Sequence, residues 1–451
     1  MPLFFIIAGF SIDLAAGRWG AYIISPIPGL YLADLLLALG SLGAAVQIRR
    51  LFAPPPLVLA IFATAGLYLA IRGFYALFWN LVPEPYLAIR DLAPFGYLAL
   101  VPFIALALRG LNPVAFIWVL RVATAVHLIG FALTSLGFFT PFSSPHLGSS
   151  SVEVFDYRGD LVGVILGIGF LVWGRWPGTN AGRVIQFLCI LTAFNLESRA
   201  SLLSFIFCLV LALWRELSWF PPRRAVIFAV MGIVGSSLIS YLAPNLTTII
   251  YQHLESPAQT KERDTAFTLG SPALKKQLDQ LGGGMNTGSA RLMTWRQIIL
   301  ALPRDHLWLL GGGLGSDILY RICSEGDGPT DTLYAGGGSG RPKCHVDSNE
   351  AATILRDPHN WLLNLMLYHG LIGTLIFILA IAIPMVIYRH APCSSLAIIP
   401  IGAYFVSGSF GVILSAPFGM LPVAVFLGWL LREGLAPNRP PTEQATQGPH
   451  V

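Results

Sequence analysis

Apolar segments of about twenty residues recur along most of this chain, and they are missing only from residues 244–360 and the C-terminal tail. A helix of that length crosses a hydrocarbon core about 30 Å thick, and a backbone in lipid must satisfy its hydrogen bonds internally. Hydrophobic residues make up 55% of the chain and charged residues only 11%, far below the roughly 25% of soluble globular proteins. The sequence therefore predicts an all-α polytopic membrane protein.

The apolar pattern resolves into about twelve predicted transmembrane helices. They are Leu3–Ala16, Leu30–Ile48, Leu57–Phe78, Leu92–Leu108, Val114–Phe139, Leu161–Trp176, Val184–Leu196, Ala200–Trp214, Ala225–Leu242, Trp361–Tyr388, Leu396–Leu414 and Pro417–Leu431. The net charge of +5 is not gathered into a basic run with interleaved aromatic residues, so we do not expect nucleic acid as a partner.

Arginines between the predicted spans set the orientation in the membrane. A cytoplasmic N-terminus places a large set of them in cytoplasmic connections, as the positive-inside rule requires, and the opposite orientation contradicts that rule. This set is Arg49, Arg50, Arg109, Arg175, Arg183, Arg215, Arg223, Arg224, Arg389, Arg432 and Arg439. Both termini are then predicted to be cytoplasmic, and residues 244–360 face the outside.

The chain divides into four predicted regions. Residues 1–243 hold transmembrane helices 1–9, and residues 244–360 form an external loop domain in which reactive side chains are expected to meet water and substrate. Residues 361–432 hold helices 10–12, and residues 433–451 form a disordered cytoplasmic tail. Within the loop domain, Gly288–Ile299 has the spacing of an amphipathic helix that lies near the membrane surface. Its predicted apolar side consists of Leu292, Trp295, Ile298 and Ile299.

Two further features lie in the external loop. Leu309–Ser316 has four glycines around Leu314 and predicts a tight turn, because a phosphate-binding loop would need a preceding strand and a following helix with Lys. Cys323 and Cys344 both fall on the external side, where a disulfide between them is expected in an oxidising compartment. The alternative is two unrelated free thiols.

The loop domain ends in Arg356-Asp357-Pro358-His359-Asn360. The Asp357-Pro358 pair can start a helix, which predicts His359 in the first helical turn at the membrane boundary. A helix N-terminus favours the unprotonated imidazole, and such an imidazole can accept a proton from a substrate hydroxyl. The alternative is an interfacial histidine that only hydrogen-bonds to a neighbour.

Three arginines are candidates for binding an anion on the same side as His359. Arg199 lies between two apolar spans, where an arginine is costly without an anionic partner, and Arg291 precedes the amphipathic segment. A guanidinium fork matches phosphate oxygens, so this pair predicts a diphosphate site, and Arg90, next to Asp91 at a predicted helix start, suits a supporting contact. The alternatives are an ion pair with a neighbouring carboxylate for Arg199 and Arg90, and an ordinary surface position for Arg291.

The sequence predicts no metal or other cofactor, because it contains neither an Asp-x-Asp pair nor a zinc-type histidine cluster. Glu153, Asp156 and Asp160 form an external acidic group. We interpret this group as a solvated loop, with a divalent-cation site as the alternative.

Several sequence elements occur in the order found in a known membrane family. They are Ser198-Arg199-Ala200, Ser289–Trp295, the glycine turn Gly311–Gly315, and His359–Leu363 followed by Gly370–Gly373. With these elements the chain resembles the bacterial O-antigen ligase and polymerase family. The resemblance implies the same number of spans, a large helical periplasmic loop late in the chain and a GT-C-like fold. The chain departs from the family at Tyr368, a position where members often carry an acidic residue.

The resemblance implies transfer of a glycan from undecaprenyl diphosphate to an acceptor such as lipid A-core, at the periplasmic face of the bacterial inner membrane. His359 is then the base that activates the acceptor hydroxyl for attack with inversion, while Arg199, Arg291 and Arg90 bind the diphosphate. We expect an O-antigen ligase. The alternatives are a polymerase of the same family, and a transporter or flippase of an anionic lipid-linked substrate.

Overall fold

The computed structural model describes residues 1–22, 31–48, 54–79, 85–135, 159–174, 180–194, 199–215, 295, 298–303, 305–314, 318, 360–391, 393–411 and 413–435. Every regular element within these residues is a helix, which confirms the all-α prediction. The α-helices are α1 (Pro2–Tyr22), α2 (Leu32–Ala45), α3 (Pro56–Phe74), α4 (Pro85–Leu108), α5 (Pro113–Ser135), α6 (Gly159–Gly174), α7 (Asn180–Phe194), α8 (Arg199–Arg215), α9 (Trp361–Ile387), α10 (Ser395–Gly408) and α11 (Pro417–Leu431). A π-helical turn, Tyr75–Trp79, follows α3, and 3₁₀ turns follow α10 and α11 at Ile413–Ser415 and Arg432–Leu435.

Four of the described helices are long and apolar enough to cross a membrane: Pro56–Phe74, Ala88–Leu108, Pro113–Leu133 and Trp361–Ile387. Shorter apolar helices are Pro2–Gly17, Leu32–Ala45, Leu161–Gly174, Asn180–Phe194, Ala200–Ala212 and Ser395–Gly408. The chain is therefore a membrane protein. The predicted span Ala225–Leu242 lies outside the described residues, and each of the other predicted spans coincides with a helix.

Helix starts follow from local chemistry. The Asn112 side chain accepts a hydrogen bond from the Val114 N–H at 2.9 Å, and Pro113 supplies the first residue of α5, where a missing N–H costs nothing. Proline also stands at the start of α3 and of α11. Side-chain caps and prolines therefore fix these boundaries where the apolar pattern alone leaves them open.

Helix α4 begins earlier than the sequence predicted. It starts at Pro85 rather than at Leu92, so Arg90 and Asp91 lie inside its second turn and not at its start. The predicted helix start was wrong because it was set at the end of the charged pair Arg90-Asp91. The residues between Pro85 and Arg90 are mostly apolar, and proline is favoured at a first helical position, so the helix begins before the charged pair.

Stacked aromatic rings form the centre of the core. The ring of Phe116 lies 3.9 Å from that of Trp429 at an interplanar angle of 14°, and 6.0 Å from that of Phe10. Phe426 meets the Phe10 ring edge-on at 5.4 Å. Such pairs contribute about 0.5–1.5 kcal/mol each beyond their buried area. This cluster joins α1, α5 and α11.

The bundle has two chemically distinct ends. One end, which we call the far end, is marked by Arg432. This side chain donates to the Leu111 carbonyl at 2.6 Å, lies 3.1 Å from the centre of the Trp429 ring and pairs with Glu433 at 3.1 Å. The other end is formed by the last turn of α3, the first turns of α4 and the first part of α9. We call it the kink end, because α9 breaks there at Gly370.

Candidate active site

The break in α9 is held open by another part of the chain. Gly370 has φ 65° and ψ −167°, which interrupts the helix. The next two N–H groups donate outside the helix: Leu371 donates to the Trp308 carbonyl at 2.8 Å, and Ile372 donates to the Leu309 carbonyl at 3.3 Å. The described residues of 298–314, which we call the docked segment, therefore replace the missing helical hydrogen bonds.

Both glycines at this junction are required by close backbone approach. A Cβ atom on Gly370 would lie 2.4 Å from the carbonyl carbon of Leu309, and a Cβ atom on Gly311 would lie 2.5 Å from that of Tyr368. Gly311 also has a positive φ of 74°. Only residues without a side chain fit these positions. The predicted glycine turn and the Gly370–Gly373 element thus form one structural unit.

Apolar side chains also fix the docked segment. Ile298, Ala301 and Leu302 pack with Leu367 and Tyr368 of α9. Their spacing of three and four residues is that of one side of a helix. Residues 298–303 are indeed helical.

Ile298 and Ile299, two residues of the predicted apolar side, are not buried to the same extent. Ile298 is fully buried, but Ile299 is 56% exposed. Ile298 and Ile299, which the sequence places on one apolar side, therefore have different surroundings, because adjacent helical residues point about 100° apart. The buried stripe continues instead through Ala301 and Leu302.

A buried histidine links three helices at the kink end. His369, 2% exposed, places Nε2 3.0 Å from the Asp91 carbonyl oxygen, and its Nδ1 lies 3.2 Å from the Tyr68 hydroxyl. A carbonyl can only accept, so Nε2 carries the proton and Nδ1 accepts from Tyr68. Both ring nitrogens of this neutral imidazole are engaged. The arrangement suits a residue that positions α3, α4 and α9 rather than one that accepts a substrate proton.

Two arginines lie beside this histidine. Arg72 donates from Nη2 to the Tyr368 carbonyl at 3.0 Å. Arg90 pairs with Asp91 at 3.2 Å, and the exposed fractions of the two side chains are 35% and 6%. The neighbouring-carboxylate alternative considered for Arg90 is therefore present, and the guanidinium still reaches the surface of the kink end.

Tyr368 marks the departure from the family pattern. Its ring is buried against the docked segment, and its carbonyl receives the Arg72 hydrogen bond. Where the resemblance implies an acidic residue, this chain therefore has a tyrosine. Its ring packs against the docked segment, and its backbone carbonyl binds the Arg72 guanidinium.

The start of α9 is anchored on two sides. Asn360 is the N-cap, with its side-chain oxygen accepting from the Leu362 and Leu363 N–H groups at 3.1 Å each. Its amide donates to the Ser409 carbonyl at 3.2 Å, and Trp361 Nε1 donates to the Ser409 hydroxyl at 3.3 Å. The prediction that this helix starts at Asp357-Pro358 is wrong. Asn360 has an extended backbone conformation and is the N-cap, so the first helical residue is Trp361.

The predicted site residues are placed only in part. Arg291 and His359 lie outside the described residues, as does the side chain of Arg199, whose backbone begins α8. That helix start is joined to α6, because the Ser201 hydroxyl accepts from the Gly163 N–H at 2.7 Å. Arg90 is therefore the predicted site residue whose side-chain contacts the structure describes, and the convergence of the four remains a prediction.

Sequence reasoning missed Tyr68 and His369 as members of the kink-end network. A signal was present, because an ionisable or polar residue inside an apolar span marks a functional site more often than not. His369 directly precedes Gly370, but the contact with Tyr68 joins residues about three hundred positions apart. No local spacing in the sequence predicts such a contact.

Among the described residues, no group of three or more His, Cys, Asp and Glu side chains has the arrangement of a metal site.

These features define a helical membrane protein in which the His369 network, the backbone junction at Gly370 and the cap of α9 lie at the kink end of the bundle. Residues 184–378 match the model of a family described as O-antigen ligase. This match confirms the resemblance of the chain's motifs to the O-antigen ligase and polymerase family. No curated protein matched the chain.

The matched segment has a clear relation to the site. It runs from α7 into α9 and includes the docked segment and the break at Gly370. Arg199, Arg291 and His359 lie within it, whereas Arg90 lies before it, in α4. The kink end therefore combines residues from the family segment with residues of the first four helices.

Proposed function

We propose that the protein is a glycosyltransferase that moves a glycan from undecaprenyl diphosphate to an acceptor, with lipid A-core as the preferred acceptor. The observation that carries this proposal is the family match over residues 184–378, which contains three of the four predicted site residues. A polymerase of the same family would perform the same bond exchange on a second carrier-linked glycan.

In the proposed reaction His359 accepts the proton of the acceptor hydroxyl as its oxygen attacks the anomeric carbon from the side opposite the diphosphate. The bond between that carbon and the diphosphate oxygen breaks, and the configuration inverts. General-base catalysis of this kind contributes about 10²–10⁴-fold. The imidazolium then returns its proton to solvent.

Arg199 and Arg291, with support from Arg90, bind the diphosphate and stabilise the charge that it gains as it leaves. Preorganised donors aimed at developing charge contribute about 3–4 kcal/mol each in water-excluded sites. The partial exposure of Arg90 beside buried Asp91 supports this role, because its guanidinium is held at the kink end and still reaches the surface. The reaction as proposed needs no metal.

The remaining parts of the proposal concern architecture and orientation. We propose about twelve spans in a GT-C-like arrangement, in the bacterial inner membrane, with both termini cytoplasmic. The kink end then faces the periplasm together with residues 244–360. The positive-inside distribution of arginines supports this orientation.

The test is a transfer assay in vesicles with purified protein, a diphosphate-linked glycan and lipid A-core. We expect release of undecaprenyl diphosphate and formation of the glycosylated acceptor. His359→Ala should lower the rate by at least about a hundredfold because the general base is lost. His390→Ala, an exposed histidine beyond the end of α9, is the matched control and should keep the wild-type rate.

The same assay examines Arg90. Arg90→Gln should raise the KM for the lipid-linked donor about tenfold, a loss typical of one charged contact, while Arg389→Gln at the far end should not. A lower melting temperature with an unchanged KM would mean that Arg90 stabilises the fold through its pair with Asp91 and does not bind the donor. Carrier movement across the vesicle without any glycosyl transfer would overturn the enzyme proposal in favour of a transporter.

A further inference from the structure

The docked segment also carries large apolar side chains that are not buried against α9. Several of its large apolar residues are between 40% and 56% exposed. They are Ile299, Leu300, Trp308, Leu309 and Leu310. Soluble protein surfaces rarely carry contiguous patches of this kind, and such patches mark contact with another molecule or with lipid.

The composition of the docked segment restricts what can cover these side chains. Residues 298–303 and 307–314 contain no charged side chain, and the charged residues of this part of the sequence lie between these two stretches. Trp308 is of the type enriched where a membrane meets water. The exposed side chains therefore have the composition of a lipid-contacting surface.

The patch is continuous with the outer surface of a candidate membrane span. The hydrogen bonds from Leu371 to Trp308 and from Ile372 to Leu309 fix it directly beside α9. Beyond this junction Ile372, Leu375 and Leu379 are 39–47% exposed at helical spacing along one side of the span. Exposed apolar side chains of a spanning helix contact acyl chains, so the patch extends an existing lipid-facing surface.

We infer that the apolar stretches 298–303 and 307–310 form an element inserted into the membrane, with their exposed apolar side chains in contact with the acyl chains of bilayer lipid and the turn at Asp305 and His306 on the water side. The occupant is the bilayer, because the patch adjoins the lipid-facing stripe of α9 and carries no charge that would recognise a protein partner. This inference is independent of the proposed transferase activity.

Fluorescence quenching at single cysteines tests the inference. The five cysteines are replaced by alanine, one cysteine is introduced as Leu310→Cys or Leu300→Cys, and a bimane label is attached in vesicles of phosphatidylcholine. We expect quenching by lipids brominated on the acyl chains and protection from aqueous iodide at both positions. Leu379→Cys on the span is the lipid-exposed control, and His390→Cys beyond α9 is the water-exposed control.

Two results would overturn the inference. Iodide quenching at both positions equal to that at His390→Cys would place the patch in water. Protection from bromolipid and iodide alike would mean that another part of the chain or a second copy covers it. The two test positions lie on different parts of the docked segment, and a melting temperature equal to that of the cysteine-free parent shows that each labelled protein is folded.

Discussion

The neutral histidine at the kink end illustrates how one residue can position several others. His369 donates to the Asp91 carbonyl and accepts from Tyr68, so it ties the helix that carries Arg90 to the break in α9. A buried imidazole with both nitrogens engaged has no free lone pair for a substrate proton. Its contribution is therefore to the geometry of the kink end.

A double-mutant cycle measures this link. His369→Phe removes both ring-nitrogen hydrogen bonds, the one from the Tyr68 hydroxyl and the one to the Asp91 carbonyl, and should lower the free energy of unfolding by about 1–3 kcal/mol. Tyr68→Phe removes the first of these bonds from the other side. The loss in the double variant should be smaller than the sum of the two single losses, because the two residues share one interaction.

Thermal unfolding in detergent, with the wild type and all three variants in the same lipid–detergent mixture, provides the measurement. His369→Gln is the conservative comparison, since its amide can still donate to the Asp91 carbonyl and should retain part of the stability. Strict additivity of the two single changes would show that the hydrogen bond contributes nothing.

At the level of elements, α9 consists of two helical pieces joined by a glycine and by the docked segment. The first piece starts at the Asn360 cap and ends at Gly370, and the second continues to Ile387. The N–H groups that the break releases are satisfied by the carbonyls of Trp308 and Leu309. A helix broken in this way in an apolar environment is stable only while the docked segment stays in place.

Replacement of Gly370 tests this dependence. Gly370→Ala puts a Cβ atom 2.4 Å from the Leu309 backbone and forces alanine into the left-handed region. This backbone conformation, with ψ −167°, is essentially restricted to glycine and costs another residue roughly 1–3 kcal/mol, so the melting temperature should fall by several degrees, and the docked segment should become sensitive to protease.

Gly96→Ala is the matched control for this change. Gly96 lies in α4, and a Cβ atom there would meet nothing within 4 Å. Alanine in a helix interior is favoured over glycine by roughly 0.5–1 kcal/mol, so the control should be at least as stable as the wild type. A Gly370→Ala protein with wild-type stability would mean that the junction can rearrange.

The sequence predicted the elements better than their junctions. Apolar windows located the described helices because length and composition act locally, but they gave Trp361–Tyr388 as one uninterrupted span. The left-handed conformation of Gly370 depends on hydrogen bonds from a segment far away in the sequence, so no local pattern reports it. For the same reason the buried side of residues 298–302 was only partly predicted. Of the candidate site, Arg90 was identified from its charge, whereas the His369 network required the tertiary packing.

At the scale of the whole molecule, the two ends of the bundle differ in how they hold charge. The far end holds Arg432 between the Trp429 ring, the Leu111 carbonyl in the α4–α5 connection and Glu433. The kink end has the histidine network, the Arg90–Asp91 pair and the capped start of α9. The arginine distribution predicts that the far end faces the cytoplasm and the kink end the periplasm.

Labelling of single cysteines in a cysteine-free protein tests this orientation. His306→Cys is exposed in the docked segment's turn at the kink end, and His390→Cys is exposed at the far end, just beyond α9. In intact spheroplasts a membrane-impermeant maleimide should label the first and not the second. After permeabilisation both should react, which shows that the unlabelled cysteine is accessible and not buried.

The reverse pattern would put the kink end in the cytoplasm, where a carrier-linked periplasmic donor could not reach Arg90 or His359. The transferase proposal would then fail, even though the fold and the family match over residues 184–378 would be unchanged.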